Sequence, residues 1–302
     1  MAKPVSFAKK LRWRLEVIGL RCIMSLFAAL PLDRASALGG WLLRRFGPGL
    51  PVQRVGRTNL ELALPNLSAD DRNRVLAEMW ENLGRTAGEY PHLKEIVDEA
   101  SQRVVLDLHP AFDAHRATGR AMIVASAHFA NWEVMHLAAG IAGLDVVTVV
   151  RHPNNPLVRD RLEAWRSVTG GARVPKGREG ARAAVAALKA GKMLAILADQ
   201  RMSEGIDAEF FGLPAMTPAG PAQLALRTGC PLFPAKLERQ QGVRFRLTID
   251  APIPVPEGLD RVDATVAMTQ ALNDRLEAWI REKPGDWLWL HRRWPSAFYE
   301  KL

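Results

Sequence analysis

The sequence predicts an α/β protein, with a mixed, mostly parallel central sheet and helices on both faces, preceded by an N-terminal helical segment that associates with a membrane. Three observations predict it. Short aliphatic runs at residues 121–126, 144–150 and 193–198 read as buried strands, and stretches of helical periodicity separate them. These runs end in polar or titratable residues, at the strand edge where ligands bind in such sheets. Basic residues crowd the first 57 positions around an apolar centre at 17–32.

That basic segment sets the domain reading: residues 1–57 are an attachment segment and 58–302 a single domain, with no internal repeat and no long linker between them. The net charge of the 302-residue chain is +9. Eleven lysines and arginines stand against Glu16 and Asp33 in the first 57 residues, so the excess lies there and the remainder is near neutral. A nucleic-acid domain more often carries its excess on the folded body; an anionic membrane is the better partner. The longest uncharged stretch, 22–32, falls short of the roughly 20 residues that span a bilayer as a helix. A helix lying in the interface fits better. A tilted span with Arg21 snorkelling, a secretory signal and an ordinary core helix are the other readings. Cys22 and Cys230 sit in apolar surroundings and fit a reducing compartment rather than a disulfide scaffold.

In chain order, residues 54–67 have helical spacing. Ser68 then caps a second helix with Asp71 at the third position, a capping-box arrangement. Its apolar face is Val75, Leu76, Met79 and Leu83, it ends near Tyr90 and Pro91, and Met79 and Trp80 read as packing. The strand at 121–126 delivers His128, and a helix follows over 131–142 with Asn131 as its N-cap. The strand at 144–150 ends at Arg151, and a turn at 152–156 opens a helix to about 168. Residues 170–180 read as a loop of four glycines with Arg173, Lys176 and Arg178, ahead of a helix at 181–190. Backbone amides and cations together make an anion site, and a solvated loop is the plain alternative. The strand at 193–198 closes on Asp199 and Gln200. A hairpin with an apolar tip (205–218), a helix (217–229), a strand pair (232–239 and 243–250) and a long helix (263–283) follow. Alternating tryptophans over 284–294 suggest a last strand that packs on lipid or sugar, or else closes the core.

His128 and Glu133 carry the chemistry. Glu133 can accept the proton of one imidazole nitrogen, leaving the other free as a general base on a hydroxyl. Glu133 and His136 also have ligand spacing on a helix, but without a second copy or a Cys/Asp cluster no metal is expected.

The motifs HFANWE (128–133), RHPNNPL (151–157), KGREG (176–180), ADQ (198–200), FFG with AMTPAGPAQLALRTG (210–229) and WLWLHRRW (287–294) resemble the late acyltransferases of lipid A biosynthesis, the lauroyl/myristoyl group. RVGRTNLELALPNLS and NLGRTAGEYPHL are similar to that family's N-terminal region, so the resemblance covers nearly the whole chain. The family lies within the glycerophospholipid acyltransferase-like superfamily and shares its His-x4-acid motif. The resemblance implies that His128 deprotonates the 3-hydroxyl of an acyl chain on a Kdo-bearing lipid A precursor, with Glu133 orienting it. It implies acyl carrier protein as the thioester donor and partner, membrane lipids and an anionic glycolipid as further partners, and no nucleic acid. It implies no metal and no other cofactor, since acyl transfer from a thioester needs neither. Arg178 would hold phosphate or oxyanion, with Asp199, Gln200, Asn131, Arg151 and Arg292 completing the substrate-binding set. The expected place is the bacterial inner membrane, active site on the cytoplasmic side. Arg201 departs from the family, which often has an acid there. A lysophospholipid or other small lipid acceptor is the alternative, and a non-catalytic membrane-binding protein a remoter one.

Overall fold

The computed structural model describes residues 6–141, 143–150 and 153–300, the side chains at 136–138 and 141 excepted. Its first part is helical: α1 (Phe7–Ala28), α2 (Leu32–Phe46), α3 (Gln53–Ala63) and α4 (Ala69–Glu89). Ser68 caps α4 as its spacing predicts, its Oγ accepting the Asp71 N–H at 3.1 Å. The short helices α5 (Leu93–Asp98) and α6 (Ala100–Arg103) lead into β1 (Val104–Leu108), α7 (Pro110–Ala117), β2 (Met122–Ser126), α8 (Val134–Ile141) and β3 (Val146–Val150). Then come α9 (Pro156–Arg166), β4 (Ala172–Pro175), α10 (Arg178–Lys189) and β5 (Met193–Leu197). The hairpin β6 (Ile206–Phe210) and β7 (Leu213–Thr217), α11 (Gly220–Thr228), β8 (Leu232–Arg239), β9 (Phe245–Ile249) and α12 (Arg261–Glu282) complete the series.

Seven strands form one sheet in the order β1-β9-β8-β2-β5-β3-β4. Every neighbouring pair is parallel except β8 with β9, so the sheet is mixed and mostly parallel. The alternation of side chains along each strand divides the core in two. Ile123, Ala125 and Leu194 point into a large cluster with Leu60, Trp80, Leu188, Leu276 and the tryptophans. Met122, Val124, Val146 and Met193 point the other way, toward Phe112, Val134 and Ala139 on the shorter helices.

The backbones of α2 and α4 touch. A Cβ on Gly39 would lie 2.2 Å from the Gly84 carbonyl oxygen, and one on Gly88 2.3 Å from that of Ala35, so only glycine allows this approach. The contact brings Ser36 to the C-terminal end of α4, where its hydroxyl donates to Glu89 at 2.7 Å. No helix among the described residues is long and apolar enough to cross a membrane.

Three local expectations are corrected. The helix predicted over 131–142 begins at Val134, because Ala130 adopts a left-handed backbone (φ +44°) and residues 130–133 form a turn. Asn131 serves that turn, its Oδ1 accepting the Glu133 N–H at 3.2 Å. Within the predicted 170–180 loop, Ala172–Pro175 is β4, an edge strand paired only with β3, and α10 starts at Arg178 behind Gly177 (φ +103°). An edge strand here needs only one partner and little apolar surface, which hides it among glycines and cations. The tryptophan segment is not a strand: beyond a single bridge from Trp287 to Phe129 it runs irregularly. Trp287, Trp289 and Trp294 are buried to 1% exposure or less, and their indole N–H groups donate to Asp199, Pro284 and Phe210. They close the core.

Candidate active site

The β2–β5 register builds the site. Ser126 pairs with Leu197, so two residues further along each strand His128 and Asp199 stand side by side at the carboxyl edge. Asp199 Oδ1 lies 2.8 Å from His128 Nδ1. Its Oδ2 accepts the His128 backbone N–H at 2.9 Å and the Trp287 indole N–H at 2.8 Å. Burial alone would raise the Asp199 pKa, but the charge and hydrogen bond of His128, its amide and Trp287 outweigh it and hold the carboxyl well below the usual range. A carboxylate only accepts, so in the neutral imidazole Nδ1 carries the proton and Nε2 is bare.

Nε2 faces a short polar chain. The Gln200 amide nitrogen lies 3.3 Å from His128 Nε2 and 2.9 Å from His291 Nε2. Trp132 packs edge-on to the His128 ring at 5.2 Å. The turn that carries these groups is tied down from both sides, since Ala130 donates to the Asp286 carbonyl and Leu288 to that of His128.

Glu133, expected to orient His128, has Tyr90 and Arg166 among its partners. Its carboxylate accepts the Tyr90 hydroxyl at 2.6 Å and a forked pair from Arg166, Nε to Oε2 at 3.0 Å and a terminal nitrogen to Oε1 at 2.6 Å. Burial, and then the Glu133 charge, push the Tyr90 hydroxyl well above its ordinary pKa; burial opposes the Arg166 cation, but Tyr90 and Glu133 hold it above the usual arginine value. Local spacing suggests a His128–Glu133 pair, and sheet register adds an acid in hydrogen-bond contact, Asp199, from 71 residues away.

Asn131 is fully buried and donates to Glu89 Oε2 at 2.8 Å. Arg239 also binds Glu89, so one buried carboxylate joins α2, α4, the His128 turn and β8. Gln200 and Asp199 are at the site. Arg178 is exposed on the first turn of α10, and the cation of that segment which reaches the cavity described next is Lys176. Arg292 is exposed over the Tyr299 ring at 5.5 Å, while Arg293 is the buried neighbour, donating to Thr217 at 2.7 Å. Burial lowers the Arg293 pKa to about 10. Arg151 and the His136 side chain lie outside the described residues. Arg166, Tyr90 and His291 were not singled out as site residues; Tyr90 and His291 do fall within motifs quoted above, but Arg166 sits on a helix with no local signal.

A cavity of about 480 Å³ starts at this cluster and runs along the sheet face beneath α8. His128, Gln200, His291 and Glu133 line its polar end; Val124, Ala195, Leu247, Ile249, Phe112 and Leu144 line the rest. A histidine with its Nδ1 held by a buried acid, at the head of an elongated apolar cavity, can accept a proton from a group bound beside an aliphatic chain.

A family model described as "Bacterial lipid A biosynthesis acyltransferase" matches residues 6–296, and the chain belongs to that family. A protein named phosphatidylinositol mannoside acyltransferase from Mycolicibacterium smegmatis is 30% identical over 200 residues, covering 63% of this chain and 62% of the relative. One named lipid A biosynthesis palmitoleoyltransferase from Escherichia coli K12 is 26% identical over 255 residues, covering 81% and 79%. The chain thus spans under two thirds of the length of its mycobacterial relative.

Proposed function

We propose that the protein is an O-acyltransferase that moves a fatty acyl group from the thioester of acyl carrier protein to the 3-hydroxyl of an acyl chain on a Kdo-bearing lipid A precursor. The observation that carries this reading is His128, its Nδ1 held by the buried Asp199 and its Nε2 facing the head of an apolar cavity. The acceptor hydroxyl gives its proton to Nε2 as its oxygen attacks the thioester carbonyl. Asp199 steadies the imidazolium that forms. The Gln200 amide, beside Nε2, is placed to donate to the oxyanion of the tetrahedral adduct. The carbon–sulfur bond then breaks, and the thiolate leaves with the proton from the imidazolium. The acyl chain lies in the cavity throughout.

The N-terminus supports a membrane setting on the cytoplasmic side of the inner membrane. Phe7, Leu11, Leu15, Ile18 and Leu26 are exposed on α1, flanked by cations, and Trp41 and Phe46 continue the exposed apolar surface. Exposed apolar side chains flanked by cations can enter the interface of an anionic leaflet, which also suits an anionic acceptor and an acidic carrier protein. The phosphatidylinositol mannoside relative favours a second reading, in which the same site acylates a different glycolipid.

The test is a mass-spectrometric assay of the full chain with a tetra-acylated, Kdo-bearing precursor and a set of acyl carrier protein thioesters. One acyl group added by wild type and none by His128→Ala is the expected result. Transfer to a lysophospholipid or to a mannosylated phosphatidylinositol alone would move the acceptor; membrane binding with no transfer to any acceptor would overturn the enzyme reading.

A further inference from the structure

The apolar cavity does not end at the edge of the sheet. On β5, Leu197, Ala195 and Met193 line it in turn, and so do His128 just beyond β2 and Ser126 and Val124 on it. Four residues along β5 cover ~13 Å at about 3.3 Å per residue, so the cavity runs almost the length of the strands toward their amino ends. A second cavity of about 410 Å³ begins there. Met122, the next residue of the same face of β2, lines it, together with Gly191, Arg116 and Arg120. Leu144 and Met193 line both cavities. These two side chains are the partition between two spaces in line on one sheet face.

The spaces differ in chemistry. From His128 to the partition the walls are mostly apolar, with Ser126 and Thr148 among them. Beyond it they carry ion pairs, Arg116 with Asp113 and Lys192 with Asp145, each at 2.7 Å. A hydrocarbon chain entering from His128 therefore has a favourable path only as far as Leu144 and Met193. Met193 is 6% exposed and packed against Val146 and Val124 in the same cluster, so its position is set by the core rather than by solvent. Leu144 follows Gly143 (φ +70°) and is anchored by its backbone N–H to the Ala139 carbonyl at 2.9 Å.

We propose that Leu144 and Met193 are the residues that set the length of the acyl chain, stopping its methyl end at the boundary between the two cavities. The proposal rests on the acyl-transfer reading of the His128 site. Shortening either side chain joins the two cavities and admits a longer chain; enlarging a residue midway, such as Ala195, stops the chain earlier. Hydrophobic pockets discriminate single methylenes by about tenfold or more, so a several-carbon change in depth gives a measurable shift in preference.

The experiment compares wild type, Met193→Ala, Leu144→Ala, Met193→Leu and Ala195→Phe in competition assays with lauroyl, myristoyl, palmitoyl and stearoyl thioesters of acyl carrier protein. Met193→Ala and Leu144→Ala should raise the ratio of the longer to the preferred chain about tenfold or more, Met193→Leu should keep the wild-type profile, and Ala195→Phe should favour shorter chains. A uniform fall in rate with the profile unchanged in all variants would overturn the proposal. Should wild type transfer none of the four, the acyl-transfer reading fails on its own, and the partition is read by equilibrium binding of the matching free fatty acids. A longer tightest-binding chain in Met193→Ala would then support it, and an unchanged one would sink it.

Discussion

The two faces of the sheet are built from the same strands and do different work. On one, the helices α3, α4 and α10 to α12 and the C-terminal tryptophans pack Ile123, Ala125 and Leu194 to 0% exposure. On the other, the short helices α7 and α8 leave room for a cavity of about 480 Å³ against Val124 and Ala195. Adjacent residues of β2 therefore face a filled core and a mostly apolar channel. Stability is concentrated on the first face and chemistry on the second, and the Glu133–Arg166 pair lies at the rim of the cavity.

The largest expected effect lies at the channel's head. His128→Ala should lower turnover by about three to four orders of magnitude in protein that still folds cooperatively, with a reduced thermal midpoint because the buried Asp199 loses its imidazole partner, as read by the acyl-transfer assay and by calorimetry. Loss of turnover and of cooperative folding together would break the division of labour.

On the rim, Arg166→Ala leaves Glu133 buried without its forked partner and should cost about 3–5 kcal/mol in denaturant unfolding. The double change Arg166→Met with Glu133→Gln should recover a good part of that, because it removes the stranded charge. A single-variant loss below about 1 kcal/mol would show that the pair is not holding the turn.

Neighbouring truncations on one strand compare the faces directly. Ile123→Ala opens a cavity in the dense core and should cost about 3–4 kcal/mol. Val124→Ala enlarges an existing space and should cost only about 1–2 kcal/mol, near the transfer term alone. Equal costs would argue that the channel face is as tightly filled as the other.

The smallest effect is the pH dependence of stability. Asp199 has a folded pKa below its ordinary one, so its contribution is present above the unfolded aspartate value and is lost as pH falls through the folded one. The urea midpoint of wild type should therefore fall toward that of Asp199→Asn only below about pH 4. A constant difference through that range would contradict the depressed pKa.

Much of this was legible in the residues. The strands at β2, β3 and β5, the cap at Ser68, the hairpin and the final helix follow from apolar runs and turn chemistry, which are local signals. His128 was legible as a strand-end histidine, and Asp199 and Gln200 as a strand-end pair. What local reading could not supply was the partnership between them, since it depends on Ser126 standing opposite Leu197. Glu133 stands out in the sequence as a partner for His128 because five-residue spacing is visible there and sheet register is not. Arg166 was hidden for the same reason: it meets Glu133 only through the fold, across 33 residues. The tryptophan segment misled in another way, because its alternation serves irregular packing into the core.

The measurement that bears most directly on the central claim is single-turnover acyl transfer by Asp199→Asn, corrected for folded fraction and compared with wild type. Asparagine keeps the shape but not the charge that fixes the Nδ1–H tautomer and supports the imidazolium, so the rate should fall about a thousandfold or more. A rate within about tenfold of wild type would mean that Asp199 does not set the state of His128, and the account of the site built on the β2–β5 register would be wrong.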